Sequence, residues 1–228
     1  MDDSSMYPMR INRYLALRGQ ATRRAADKLI AAGKVSINGR IAKLGDKVNA
    51  KDKVEIAERP AIKYTYLTYH KPAGEPTMER YLGKLFPLGR LDKESRGLMI
   101  LTDDGRLTDR LLNPDYDHEK EYLVSVDKPL KEGVLNRFAR GMLIEGETDK
   151  TRPAIIDQED QYAFRITLTE GKKHQIRRMC AAWGYTVTDL LRVRIANVEL
   201  ESLGQGKTRP IGGRVLNEFL ASLQLPPN

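Results

Sequence analysis

The sequence predicts an α+β protein with a small helical head and a larger sheet-based body, and three observations carry that expectation. Two short helical patterns and an Asn-Gly hairpin fall within the first 60 residues. Beyond them, strand and helix patterns alternate with short polar connections, which argues for a mixed, largely antiparallel sheet with helices packed on it. No apolar run approaches the roughly 18 residues of a bilayer-spanning helix. The 228 residues are 40% hydrophobic and 31% charged, a globular composition that excludes disorder. At roughly 150 residues per domain, this length suits one core with an appendage.

In the head, Ile11, Tyr14 and Leu15 sit at helical spacing before a stop at Gly19. Thr22 can cap a second helix whose Ala25, Ala26, Leu29 and Ile30 face inward until Gly33. Residues 35–42 then alternate apolar and polar around Asn38-Gly39, a pair suited to a turn that needs two positive φ angles. A strand is expected over 48–56, and the polar Glu58-Arg59-Pro60 stretch predicts a linker, giving domains of 1–60 and 61–228. The first 60 residues carry a net charge of +6 and the remainder only +2. Arg10, Arg13, Arg18, Arg23 and Arg24 come with no acidic residue among them, the footprint of a phosphate-binding surface.

Met9-Arg10-Ile11-Asn12-Arg13-Tyr14-Leu15, the stretch from Thr22 to Ile30, and Gly33-Lys34-Val35-Ser36-Ile37-Asn38-Gly39 together resemble the S4 RNA-binding domain. The resemblance covers about 50 residues and implies a structured RNA as partner, met by the basic face of the helix pair.

In the body, strands are expected over 62–69, 97–101, 121–126, 163–168 and 192–200, and helices over 106–112 and 134–139. Ile176, Met179, Cys180 and Trp183 recur at helical spacing before Gly184. Neither a phosphate-binding Gly-x-x-x-x-Gly-Lys-Ser/Thr loop nor a dinucleotide fingerprint is present. His70, His118, His174 and Cys180 lack zinc-ligand spacing, so neither a metal nor a nucleotide cofactor is expected. One cysteine excludes an internal disulfide, and Met1-Asp2-Asp3-Ser4-Ser5 is acidic where a secretory signal is basic, so a cytoplasmic location is expected.

The densest chemical candidate is Gly89-Arg90-Leu91-Asp92-Lys93-Glu94-Ser95-Arg96-Gly97-Leu98, continuing through the apolar Met99-Ile100-Leu101 to Thr102. It places Asp92 in a polar turn ahead of a buried strand, among Arg90, Lys93 and Arg96. Neighbouring cations favour the ionised form of a carboxylate, and an oriented carboxylate can act as nucleophile toward a sugar carbon or as base. Taken alone, the same residue more often caps a turn and pairs with an arginine.

This stretch resembles the catalytic-aspartate motif of RNA pseudouridine synthases, specifically the family that modifies bacterial ribosomal RNA behind an S4 domain. Tyr69-His70-Lys71-Pro72-Ala73-Gly74 resembles the family's opening motif, His118-Glu119-Lys120-Glu121-Tyr122-Leu123-Val124 its tyrosine motif, and Gly171-Lys172-Lys173-His174-Gln175-Ile176-Arg177-Arg178-Met179 its arginine motif. Leu203-Gly204-Gln205-Gly206-Lys207-Thr208-Arg209 is similar to its closing segment. The stretch from Asp117 to Val124 and the Arg178-Met179-Cys180 run resemble most the RluF type of large-subunit enzyme within the RsuA/RluB/RluE/RluF group.

The resemblance implies that Asp92 acts at C1′ or C2′ of the target nucleotide, that Tyr122 stacks on its base, and that Arg177 pairs with the aspartate. Arg90 matches the position that helps displace the base from its stem. With Lys71, Lys173 and the five head arginines it makes the expected RNA-binding set. The implied reaction is cofactor-free isomerisation of a uridine within the chain of a ribosomal RNA, 23S first, with transfer RNA as a second substrate class. The target must be unstacked to reach the carboxylate. A monomer is the default, and no membrane is involved. Only eleven residues, Glu75 to Leu85, stand where members of the resembled family carry a longer insertion over the RNA, which bears on substrate grip and site choice. Two rivals stand beside this reading. One is an inactive S4-domain protein that binds RNA or assists ribosome assembly. The other is a carboxylate-dependent hydrolase using Glu94, Asp103 or Asp104 as its second acid.

Overall fold

Local signals at the amino end translate directly into structure. A computed structural model describes residues 7–57, 63–78, 81 and 83–227. A two-residue strand β1 (Met9–Arg10) leads into α1 (Ile11–Leu17), and α2 (Arg23–Ala31) begins where the Thr22 hydroxyl accepts the Ala25 N–H at 3.2 Å. β2 (Val35–Ile37) and β3 (Arg40–Ile41) pair around Asn38 and Gly39, whose φ angles of +51° and +82° are those the turn requires. The strand expected over 48–56 is instead two: β4 (Lys47–Val48), which pairs with β1, and β5 (Val54–Ile56), which pairs with β2. Between them the Asp52 carboxylate accepts the Asn49 N–H at 2.7 Å and closes a turn. The proposed linker and domain boundary fall at residues 58–62, outside the described residues.

The body is a sheet built from β6 (Tyr66–Lys71), β7 (Phe86–Leu88), β8 (Arg96–Thr102), β9 (Lys120–Val126), β10 (Ile155–Gln158), β11 (Ala163–Leu168), β12 (Val187–Ile195), β13 (Val198–Glu199) and β14 (Thr208–Pro210). Its order is β10-β11-β9-β12-β8-β6-β14, with β13 on β12 and β7 on β8. Every pairing is antiparallel except β12 with β8, so the expected mixed, largely antiparallel α+β fold is the observed one. The strand expected from 62 starts at Tyr66 and runs on to Lys71, and the one expected over 192–200 is β12 followed by a turn into β13.

Alternation along β8 sets the layers. Leu98 and Ile100 join one cluster with α3 (Leu107–Leu112) and α6 (Gly213–Ser222), while Met99 and Leu101 face a second cluster with Tyr69, Leu85 and Leu91. All four of these β8 residues are fully buried, each worth about 1.5–3 kcal/mol of burial. A third cluster lies between β9, β11 and β12 and the helices α4 (Val134–Ala139) and α5 (Gln175–Ala181). The sheet is thus two slabs whose cores both draw on β12. They meet where Leu191 and Arg192 of β12 pair with Arg96 and Gly97 of β8.

The head packs against the body through a buried ion pair. Arg106 lies bidentate on Asp104 at 2.8 Å, Tyr66 donates its hydroxyl to the same carboxylate at 2.7 Å, and the guanidinium stacks 4.5 Å over the Tyr64 ring. Its remaining nitrogen reaches the Gly19 carbonyl at 3.4 Å, and Arg110 reaches that of Leu17 at 3.3 Å. Among the described residues no helix is long and apolar enough to cross a membrane.

Candidate active site

The site stands at the seam between the slabs. Residues 89–95 cross from β7 to β8, and three anchors hold them. The Leu91 side chain is buried in the second cluster, while its carbonyl accepts the Thr77 hydroxyl at 2.7 Å. The Ser95 N–H donates to the Asp92 carbonyl at 3.1 Å, closing a turn with the Asp92 side chain at its outer corner. The third anchor is Lys71, 1% exposed, whose ammonium donates to the carbonyls of Pro72 (2.9 Å), Lys93 (3.1 Å) and Ser95 (2.7 Å). Lys71 therefore cannot touch RNA as expected: its three donors are spent on main-chain carbonyls, two of them in this turn, and burial lowers its pKa from the usual lysine value.

Beneath the turn lies Arg192, also 1% exposed, on the inward face of β12. It donates to the Leu98 carbonyl at 2.7 Å and the Gly89 carbonyl at 2.5 Å, and its guanidinium sits 6.0 Å from the Tyr122 ring centre. Gly97 lets β12 come this close. Its φ is +114°, and a Cβ there would stand 2.4 Å from the Arg192 carbonyl oxygen, so only glycine fits.

Asp92 and Tyr122 line a common cleft of about 200 Å³, with Arg90, Lys173 and His174 on its rim and Leu190 and Ile176 among its apolar walls. Expected cleft residues from the β7–β8 turn, β9 and the start of α5 are thus brought together. Asp92 is half-exposed, with His174 Nε2 at 3.3 Å from its Oδ1. His174 has a left-handed backbone, φ +52°, which turns the chain into α5 and aims the ring across the cleft. The loop before it is fixed by Gln175, whose amide donates to the buried Glu170 at 2.7 Å and accepts the Lys172 N–H at 2.9 Å.

Arg177 differs from its expected placement. It extends from α5 to the Ser95 hydroxyl at 3.2 Å and the Val187 carbonyl at 3.3 Å, and its Nε is buried without a partner. It makes no ion pair with Asp92; among the described residues that contact belongs to His174. Cys180, one turn along, is buried and its thiol is pushed up to about 12 by desolvation, which removes it as a nucleophile. Of the acids considered for a hydrolase, Glu94 is exposed on the same turn as Asp92 but does not line the cleft, and the other two lie elsewhere. Asp103 and Asp104 stand beyond the far end of β8, the first accepting the Thr65 N–H at 2.8 Å and the second locked to Arg106. The five head arginines are exposed, and Arg13 and Arg23 flank a groove between the head and α3.

A half-exposed carboxylate on a turn, an aromatic ring across the cleft and cations at the rim make an arrangement suited to chemistry on a nucleotide within a polyanion. The chain belongs to the RNA pseudouridine synthase family, in the branch with an amino-terminal S4 domain: the RNA pseudouridylate synthase family model matches residues 65–182 and the S4 domain model residues 9–54. It is 39% identical over 219 residues to the dual-specificity RNA pseudouridine synthase RluF of Salmonella typhi, spanning 89% of this chain and 75% of that protein. It is also 34% identical over 230 residues to the ribosomal small subunit pseudouridine synthase A of Pasteurella multocida, covering 92% and 99%. A crystal structure of a pseudouridylate synthase superposes with a TM-score of 0.68 at 33% identity, covering 94% of this chain and 99% of that one. The activity is accordingly that of an RNA pseudouridine synthase, an isomerase.

Proposed function

We propose that this protein converts a uridine of ribosomal RNA to pseudouridine, with 23S RNA as the first substrate, and that Asp92 is its catalytic carboxylate. The observation that carries the reading is the shared cleft of Asp92 and Tyr122, presented by the β7–β8 turn and by β9 at the seam of the sheet. The N1–C1′ bond of the target breaks with Asp92 acting at C1′ or C2′, and uracil turns in the pocket against Tyr122. C5 then bonds to C1′; the C5 proton leaves and N1 gains one, so nothing is consumed. Arg90, exposed on the rim, occupies the stem position vacated by the flipped base. Lys173 and the head arginines Arg10, Arg13, Arg18, Arg23 and Arg24 hold the surrounding phosphates. Arg177 positions the turn through Ser95.

The relatives' names span dual specificity and small-subunit RNA. The test therefore incubates the chain with 23S, 16S and transfer RNA transcripts and maps pseudouridine by chemical probing. Modification of a discrete 23S position by the parent chain, with none by Asp92→Asn, is expected. Equal modification by the variant overturns the assignment of Asp92, RNA binding with no modification anywhere favours the inactive RNA-binding protein, and free uracil in the reaction favours a hydrolase.

A further inference from the structure

Away from both the cleft and the head, α4, the 140–150 loop and the turn after α5 enclose a groove of about 590 Å³. Arg137, Arg140 and Lys150 line it, all exposed, and no acidic residue does. A solvated helix face usually sets acids three or four residues from its bases. Here Arg137 has Val134, Gly133, Arg140 and Gly141 at those positions, and Arg140 has Arg137, Asn136, Leu143 and Ile144. Trp183, 42% exposed, forms one wall, and the Arg137 guanidinium lies 4.9 Å over its ring. Unneutralised cations beside an exposed indole are the combination that holds a nucleic-acid strand, phosphates on the cations and a base on the ring.

The groove also connects to the chemistry. Glu147, in the same loop as Lys150, takes Lys172 at 3.1 Å and Arg178 at 2.9 Å, and Lys172 lines the catalytic cleft. The helix α5 separates His174 from Trp183, and its seven residues span about 10 Å, a distance covered by a few nucleotides.

We propose that this groove is a second RNA anchor, which holds substrate RNA a few nucleotides from the target uridine by stacking a base on Trp183 and placing phosphates on Arg137, Arg140 and Lys150. The inference rests on the RNA pseudouridine synthase reading above. The test uses the full chain with Arg137→Gln, Arg140→Gln and Lys150→Gln combined, and separately Trp183→Ala, each checked for an unchanged melting temperature. Affinity is read by filter binding, so the groove is tested even where no modification occurs; KM and kcat are read on a long ribosomal RNA transcript and on the shortest hairpin the parent chain modifies.

The triple variant is expected to weaken binding of the long transcript about tenfold at 0.1 M salt and to reduce the slope of log affinity against log salt by about 2. KM should rise in step, with kcat and the hairpin's kinetics unchanged. Trp183→Ala should cost about tenfold in affinity. Unchanged affinity and salt slope in the triple variant overturn the anchor. Loss confined to assembled ribosomal subunits, with naked RNA bound normally, overturns it in favour of a protein contact. If the parent chain itself modifies no RNA, the catalytic reading fails and the binding data still decide the groove.

Discussion

At the scale of single residues, two buried cations with no carboxylate partner organise the site. Burying a charge costs several kcal/mol unless hydrogen bonds compensate, and Lys71 and Arg192 find theirs in main-chain carbonyls of the catalytic turn and the strand behind it. Arg192→Lys keeps the charge but not the fork. It is expected to lower kcat about tenfold with KM for RNA little changed, and to cost about 1–3 kcal/mol in urea unfolding. Lys120, two residues before Tyr122, is a separate case: burial first, and the charge of Arg192 second, lower its pKa to about 8. The unfolded chain keeps this proton up to about pH 10.4 and the folded chain releases it near 8, so between those values unfolding takes up a proton and stability rises with pH. Relative to Lys120→Met, the parent chain should gain about 3 kcal/mol across that window in denaturant titrations.

The element scale shows what the sequence reveals and what it withholds. The helix pair, the Thr22 cap and the Asn38-Gly39 turn are legible because each depends on neighbours within a few residues. Asp92 and Tyr122 are legible because their motifs are contiguous. Phe86–Leu88 and Thr208–Pro210 are not, being three-residue strands that each contain a proline and exist only through distant partners. His174 escapes notice because its aim depends on a left-handed backbone. Arg192 belongs to no motif and escapes notice in the sequence, although alternation from buried Leu190 puts it on the inward face. The crossing of β8 and β12 depends on one such hidden requirement: Gly97→Ala combines a forbidden φ with a main-chain clash and should destabilise the fold by about 3 kcal/mol or more, measured by thermal and urea unfolding.

For the whole molecule, the junction of head and body decides how RNA is presented to the cleft. Asp104 is fully buried, and Arg106 both neutralises it and reaches the head at Gly19. Arg106→Ala leaves that carboxylate without its cation and is expected to cost about 3–5 kcal/mol, with proteolysis near residues 58–62 accelerated if the head is released. Cleavage no faster than in the parent chain would show that the other contact across the junction, Arg110 on the Leu17 carbonyl, suffices.

The two slabs meet at the pairs Leu191–Arg96 and Arg192–Gly97, and across that seam they are tied by the bidentate Arg96–Asp189 pair and by Arg192 on the Leu98 and Gly89 carbonyls. A nucleotide entering between Asp92 and Tyr122 therefore meets walls contributed by both halves at once, so a disturbance in either one is felt at the opening.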